Sequence, residues 1–244
     1  MGDRINPVPH AVSLGTVWPM TSTPDAPRLS PAERTIGQLV AVTLRFYGDH
    51  FWVSLVLGVG PAVLTVAAVE LPREERVVAF AVGWPIVMTL AFVSACFIVS
   101  GTGFGAERMA TAAAVGLIVS IPVPILIRLM VLPAVLWLAL VGMAVPVAVR
   151  ERTGVRDSLR RGLALGRADY VHAAGTLATL VVLVVLTQLT LYQLLHGLSE
   201  QAAGVAAFLA STVITPVLFI GSALLYDDQQ ARAEARAAVE SGEH

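Results

Sequence analysis

The segment formed by residues 109–149 most constrains the fold, because its 41 residues include one charged side chain, that of Arg128. A helix crosses the hydrocarbon core of a bilayer with about 20 predominantly apolar residues, so this segment is long enough for two such helices. Pro122, Pro124 and Arg128 predict the break between them. The segment therefore predicts a protein that crosses a membrane at least twice.

Four further segments are long and apolar enough to span a bilayer, so the expected fold is an all-α, polytopic membrane helix bundle of about six transmembrane helices. The predicted spans are residues 51–69, 77–99, 109–127, 129–149, 171–195 and 203–226. The amino-acid composition also indicates a membrane protein. Charged residues make up 14% of the chain and the mean hydropathy is +0.77, whereas soluble domains carry about 25% charged residues.

Two terminal segments flank the predicted membrane domain at residues 31–226. Residues 1–30 contain five prolines and no apolar core of signal-peptide length, which predicts a flexible tail. Residues 227–244 are the predicted cytoplasmic tail.

The densest positive charge of the chain lies between two apolar segments. It consists of Arg150, Arg152, Arg156, Arg160, Arg161 and Arg167. Arginine near the end of a span is retained on the cytoplasmic side. With six spans and both termini inside, 13 of the 16 basic residues lie inside, and Arg73, Arg76 and Arg128 lie outside. This predicts a protein of the cytoplasmic membrane with both termini in the cytoplasm.

Two of the cytoplasmic segments have the pattern of amphipathic helices on a membrane surface. Their recurring apolar positions are Ile36, Val40 and Leu44 in the first, and Val155, Leu159 and Leu163 in the second. Ser30, Pro31 and Glu33 predict the start of the first helix. Basic residues around an apolar stripe are typical of helices on anionic headgroups. The six arginines are therefore candidate lipid-headgroup contacts, and anionic lipid is the predicted partner.

These two segments align with each other at a constant offset of 119 residues. Ile36 pairs with Val155 and Phe51 with Tyr170, and each segment leads directly into a span. Because both copies begin on the cytoplasmic side, a duplication would be a parallel repeat. Any surface helix that leads into a span has a similar pattern, so duplication and coincidence are both open at this point.

The stretch "AVPVAVRERTGVRDSLRRGLALGRADYVHAAG" resembles a signature of multi-pass proteins related to the membrane domain of glycerophosphoryl diester phosphodiesterases. The matching positions are Pro146, Glu151, Gly154, residues 158–161 and Leu165, and "TIGQLVAVTLRFYGDHFW" and "TPVLFIGSALLYDDQQARAEAR" are similar as well. The resemblance covers about residues 30–236 and implies a membrane domain. The phosphodiesterases add a soluble catalytic domain, whereas this sequence has no His-Arg-Gly-type catalytic stretch. We therefore do not expect the phosphodiesterase reaction.

Residues that could carry out catalysis are sparse. The five histidines are scattered, and "GTGFGA" at residues 101–106 follows an apolar helix instead of a strand, which favours a turn over a phosphate loop. Glu74, Glu75, Asp227 and Asp228 are expected at solvated boundaries. The sequence therefore predicts no catalytic, cofactor-binding or metal site, no enzyme activity and no nucleic-acid partner.

Small and polar residues within the spans predict close helix packing. The small residues recur at every fourth position, at Ala112, Gly116 and Ser120 in the third span and at Ala207, Ser211 and Thr215 in the sixth. Small side chains let helix backbones approach each other closely in lipid. Gln188 and Gln193 are expected to form hydrogen bonds across the bundle.

Arg128 is a candidate intramembrane polar site. A charge at mid-membrane is costly and tends to be functional, whereas at the outer interface the same side chain would act as an anchor.

Our leading functional hypothesis is a non-enzymatic membrane protein without a cofactor that organises lipid, or that scaffolds a protein partner or a second copy of itself. The alternative is a transporter or a membrane subunit of a transport complex, which the break at residues 122–128 and the internal similarity favour.

Overall fold

The computed structural model describes residues 30–195 and 200–242, and within these ranges the chain folds into helices with no β-strand. In chain order the helices are α1 (Ile36–Asp49), α2 (Phe51–Glu70), α3 (Arg73–Val78), α4 (Trp84–Ser100), α5 (Ala106–Ser120), α6 (Val123–Leu129), α7 (Val131–Val141), α8 (Ala144–Arg150), α9 (Val155–Ala168), α10 (Tyr170–Leu195) and α11 (Glu200–Ser241). The predicted all-α class is confirmed. The predicted tail at residues 1–30 lies outside the described residues except for Ser30.

Helical segments of spanning length account for most of the described chain. Five are long and apolar enough to cross a membrane: Arg73–Ser100, Ala106–Leu129, Val131–Arg150, Tyr170–Leu191 and Gly204–Ser241. α1 and α2 meet the same criterion only as a pair and are bent by 101° at their junction, and counting this pair gives six spans. The predicted bundle of about six spans is confirmed.

The break between the third and fourth spans lies at Met130. This residue has an extended backbone, with φ −164° and ψ 154°, between the end of α6 and the start of α7. Pro122 and Pro124 instead interrupt the third span between α5 and α6. A proline in the first turn of a helix needs no partner for an N–H group, so α6 starts at Val123 with Pro122 as its N-cap and Pro124 in its first turn. The prolines therefore do not supply the break, contrary to the prediction.

α1 begins five residues later than the start predicted at Pro31. Residues Pro31–Glu33 form a single 3-10 turn, and Thr35 is the N-cap of α1. The Thr35 hydroxyl accepts a hydrogen bond from the backbone N–H of Gln38, and the Gln38 side chain accepts one from the backbone N–H of Thr35. This reciprocal capping box satisfies two free backbone donors, which explains why the helix starts here and not after Ser30.

α1 and α9 pack against the same end of the bundle, which we call the α9 end. α1 buries Leu39 and Thr43 completely, whereas Leu44 of the predicted stripe is 46% exposed. On α9, a Cβ atom added to Gly162 would lie 2.4 Å from Cα of Ala144. The predicted amphipathic helices are present, and glycine allows the backbone of α9 to lie directly on α8.

The bounds of the helices repeat with the offset found in the sequence. Adding 119 to the bounds of α1, 36–49, gives 155–168, which are the bounds of α9, and α2 and α10 begin 119 residues apart at Phe51 and Tyr170. The N-cap residues Thr35 and Gly154 have the same offset, and both have extended backbones. This agreement in local structure favours duplication over coincidence.

α8 forms the centre of the α9 end. Residues 144–149 are all buried, between α4 and α5 on one side and α9 on the other. Gly116 and Ser120 of α5 are buried against Thr89 of α4, whose hydroxyl donates a hydrogen bond of 3.2 Å to that of Ser120. The predicted small-residue contact of the third span is confirmed, and the packing of α8 fixes the position of Arg150 at its carboxyl end.

Candidate functional site

The structure divides the six predicted headgroup contacts into two groups. Within the described part of the chain, four of them are exposed and form no ion pair: Arg152, Arg156, Arg160 and Arg167. The other two, Arg150 and Arg161, are paired with carboxylates. Contact with headgroups stays a prediction for all six, and the four exposed arginines are the ones whose charge is available to a ligand.

Arg156, Arg160 and Arg167 share one face of α9, which we call the arginine face. Positions separated by four and by eleven residues lie within about 40° of each other around an α-helix. The opposite face of α9 is buried in the bundle and consists of Ser158, Gly162, Leu165 and Gly166. Because this buried face fixes the orientation of α9, the arginine face points away from the bundle.

Arg150 joins helices through an ion pair with α11. Its two terminal nitrogens donate hydrogen bonds to the two carboxylate oxygens of Asp227 on α11, and its guanidinium carbon lies 5.0 Å from the centroid of the Tyr226 ring. The Tyr226 hydroxyl donates a hydrogen bond of 3.0 Å to Oε1 of Glu151, and Nε of Arg161 lies 3.5 Å from the same oxygen. These contacts connect α8, α9 and α11.

A second group of polar residues, which we call the inner polar cluster, was not predicted from the sequence. It consists of Arg34, Asp169, Asp228, Gln229 and Arg232. Nη1 of Arg34 lies 3.1 Å from Oδ1 of Asp228, and Nη1 of Arg232 lies 2.9 Å from Oδ2 of Asp169. Arg232 also donates a hydrogen bond of 2.6 Å to the carbonyl of Arg34. The cluster therefore connects the start of α1, the junction of α9 with α10, and α11.

Asp228 is fully buried within this cluster, with an exposed fraction of 0%. Burial raises the pKa of its carboxyl group from 3.8 to about 6, although the neighbouring guanidinium of Arg34 acts in the opposite direction. The expectation of a solvated boundary was wrong for Asp228, because α11 continues without a break to Ser241 and turns this residue toward Arg34. The Asp227 side chain pairs with Arg150 and stays 30% exposed. Asp228 and Arg232 are four residues apart on α11, but this spacing does not indicate their partners Arg34 and Asp169, which lie far away in the sequence.

A cavity of about 330 Å³ lies where α5 and α9 begin. Its lining includes Arg108, Arg152 and Glu107, together with the N-cap residues Gly105 and Gly154. The first backbone N–H groups of a helix have no partner within the helix and favour anions, and α5 and α9 both start at this cavity. Two guanidinium groups and one carboxylate therefore line the cavity, so its charged side chains carry a net positive charge.

Arg128 lies at the opposite end of the third span. It is exposed near the end of α6, two residues before the break at Met130. This position is distant in sequence from both spans' midpoints, where a charge would be most costly. The structure does not bring Arg128 together with the arginine face, and the choice between an interfacial anchor and a ligand-binding residue stays a prediction.

Residues of the type that bind metal ions are dispersed in the described ranges. Residues 30–195 and 200–242 contain no group of three or more His, Cys, Asp or Glu side chains placed to hold a metal ion. Cys96 is buried as a free thiol within an apolar cluster. The polar groups at the α9 end are guanidinium groups, carboxylates and amides.

No family model, curated protein or solved structure matches this chain. The class of protein therefore follows from the fold: the helices have the lengths and apolar surfaces of a multi-pass membrane protein. The relation to the membrane domain of glycerophosphoryl diester phosphodiesterases stays a prediction.

Proposed function

We propose that this protein is a non-enzymatic protein of the cytoplasmic membrane that binds and organises anionic lipids through the arginine face of α9. The observation that carries this proposal is the position of Arg156, Arg160 and Arg167 on one exposed helix face without a carboxylate partner among the described residues. Each basic residue near an anionic membrane surface contributes about 1 kcal/mol of attraction. Three on one rigid face are enough to enrich anionic lipid around the α9 end.

The cavity between α5 and α9 supports the same proposal. Arg108 and Arg152 line it at the starts of two helices, with the carboxylate of Glu107 as one opposing charge. Guanidinium groups and the backbone N–H groups at a helix start are donors that bind phosphate. In this proposal a headgroup phosphate lies at the cavity while the surrounding anionic lipids contact the arginine face. The paired Arg150 holds the supporting helices together.

The proposed relation to the membrane domain of the phosphodiesterases fits this function, because such a domain supplies a membrane location without its own catalytic groups. A protein partner or a second copy of the chain would then be positioned by this domain at an anionic region of the membrane.

Both termini and the α9 end lie in the cytoplasm in this proposal. A membrane-impermeant thiol reagent applied to intact cells should label Arg73→Cys and leave Ala164→Cys unlabelled, and the opposite pattern would reverse the orientation.

Native mass spectrometry of the full-length protein, purified in mild detergent with added phosphatidylglycerol, tests the proposed lipid binding. We expect the Arg156→Gln/Arg160→Gln variant to retain several-fold less phosphatidylglycerol than the wild type. The matched control is Arg73→Gln/Arg128→Gln, which removes the same charge at positions that we expect at the outer side, and its retention should equal that of the wild type. Equal retention by both variants would refute the proposal.

The alternative function, transport, receives less support. It requires a polar and water-accessible path through the bundle, with groups that bind a hydrophilic substrate. The cavity found among α2, α4, α10 and α11 is bounded mainly by apolar side chains, and none of its described lining residues carries a charge. This lining favours an apolar occupant, so we rank transport second.

A further inference from the structure

A cavity of about 390 Å³ lies within the membrane-spanning part of the bundle, between α2, α4, α10 and α11. Its walls include Pro61 of α2, Met88 of α4, Val184 of α10, and Leu218 and Phe219 of α11. Binding sites for small molecules have volumes of about 300–1,000 Å³ and predominantly apolar walls with few polar groups. In size and lining the cavity is typical of such a site.

The cavity lies next to a close contact between α2 and α11. α2 and α11 touch at Gly58 and Thr212, where a Cβ atom added to the glycine would lie 2.1 Å from the Thr212 carbonyl oxygen. Before Thr212, nearer the start of α11, the lining residues are Ala206, Ala207 and Ala210, which are too small to fill the space between the helices. The cavity is therefore a consequence of small side chains on α11 and not of a missing contact between helices.

Four uncharged polar side chains line the cavity: Thr65, Gln188, Ser211 and Thr215. The Thr65 hydroxyl donates a hydrogen bond of 2.8 Å to the carbonyl of Pro61, and the hydroxyls of Ser211 and Thr215 lie 3.4 Å apart. The Gln188 amide forms no hydrogen bond with any described residue, although the sequence predicted one across the bundle. An amide without a partner in an apolar environment is costly, so Gln188 is available to a ligand.

We propose that this cavity binds an uncharged lipid, whose acyl chain lies along the apolar walls and whose hydroxyl or ester group forms hydrogen bonds with the Gln188 amide. The absence of charge among the described lining residues argues against a charged headgroup, which would lose its hydration without compensation. The bilayer supplies the occupant directly. This site differs from the arginine face in location, in its helices and in the class of lipid.

Photocrosslinking of the full-length protein in phosphatidylcholine nanodiscs tests this site. The probe is a monoacylglycerol with a diazirine near the end of its acyl chain, and labelled residues are identified by mass spectrometry. We expect labels on lining residues of at least two of the four helices. Gln188→Leu should reduce this labelling about two- to tenfold, as expected for the loss of a neutral hydrogen bond.

Matched variants separate this site from ordinary contact with surrounding lipid. Gln193→Leu changes a glutamine on the same helix that does not line the cavity, and we expect unchanged labelling. Ala210→Phe fills the cavity and should reduce labelling at least tenfold, whereas Leu209→Phe alters a neighbouring residue that is 55% exposed and should have no effect. Gln188→Leu keeps the test decisive if Ala210→Phe fails to fold.

Three results would overturn the proposal. The first is labelling distributed over exposed residues and equal in all four variants, because it would show surrounding lipid only. The second is labelling of the cavity that Gln188→Leu leaves unchanged. The third is equal competition by phosphatidylglycerol and by unlabelled monoacylglycerol, because the site would then not discriminate against charge.

Discussion

Arg34 and Asp228 are 194 positions apart in the chain and form an ion pair of 3.1 Å at the α9 end of the bundle. The carbonyl of Arg34 also accepts a hydrogen bond from Arg232, which in turn pairs with Asp169 at the junction of α9 and α10. These contacts hold α1 against α11 at the level where α9 docks. The inner polar cluster therefore supports the arginine face from within the bundle.

Removal of Arg34 should destabilise the protein more than removal of both members of its ion pair. Arg34→Ala leaves the buried Asp228 carboxylate without its nearest guanidinium group, and we expect a loss of about 1–3 kcal/mol in the free energy of unfolding. The Arg34→Ala/Asp228→Asn variant should recover part of this loss at pH 7. Thermal unfolding in detergent measures the stability of both variants. If the effects of the two substitutions simply add, Arg34 and Asp228 are not energetically coupled and the prediction is wrong.

The stability of the protein should depend on the ionisation of Asp228. Its pKa rises from 3.8 to about 6 in the folded state, so the folded protein binds this proton more tightly than the unfolded chain does. The resulting stabilisation is complete below pH 3.8 and is lost as the pH rises through about 6. Its full size is at most about 3 kcal/mol.

Comparison with Asp228→Asn isolates this effect, because asparagine does not titrate. Between pH 4 and pH 7 the melting temperature of the wild type should fall relative to that of Asp228→Asn. The measurement is thermal unfolding of both proteins across this range in one detergent. A constant difference between the two melting curves would show that Asp228 titrates as an exposed carboxyl group does.

The close contact of α9 with α8 depends on Gly162. A Cβ atom at this position would lie 2.4 Å from both Cα and N of Ala144, so Gly162→Ala must displace one of the helices. We expect a loss of about 1–3 kcal/mol in stability. Gly37→Ala in α1 is the matched control, because no atom lies within 4 Å of its new Cβ, and it should be neutral or stabilising by up to about 1 kcal/mol. Equal effects of the two substitutions would contradict the docking of α9.

The overall class of fold was predictable because it depends on local sequence alone. The thickness of a bilayer fixes the length of a span, and runs of apolar residues of that length are visible in the sequence. The junctions after Asp49 and Ala168 also agree with the sequence, since the offset of 119 residues relates both helix pairs. Exact helix starts were less predictable: Ser30 and Thr35 both offer capping hydroxyls, and Thr35 has the reciprocal partner Gln38.

The inner polar cluster was not predictable because its members come from distant parts of the chain. Asp228 follows an apolar span, and such a position is usually solvated. Its burial depends on α1 lying against α11, which no local pattern records. The same limit applies to the arginine-rich segment: sequence alone did not distinguish Arg150, which pairs with Asp227, from Arg156, which is exposed.

The distance between the arginine face and the lipid headgroups decides whether α9 binds anionic lipid. Ala164 is exposed on α9 between Arg160 and Arg167, so Ala164→Cys in a Cys96→Ala background accepts a nitroxide without loss of charge. The protein would be reconstituted in vesicles that contain phosphatidylglycerol and a nickel-chelating lipid, and power saturation would report contact of the nitroxide with the headgroup nickel. Val239→Cys on the exposed end of α11 is the control.

We expect strong relaxation of the label at position 164 and little at position 239. We also expect Arg156→Gln/Arg160→Gln to weaken the relaxation at position 164, because the attraction to anionic headgroups is reduced. Equal and weak relaxation at both positions would place the arginine face away from the headgroups and contradict the proposed function.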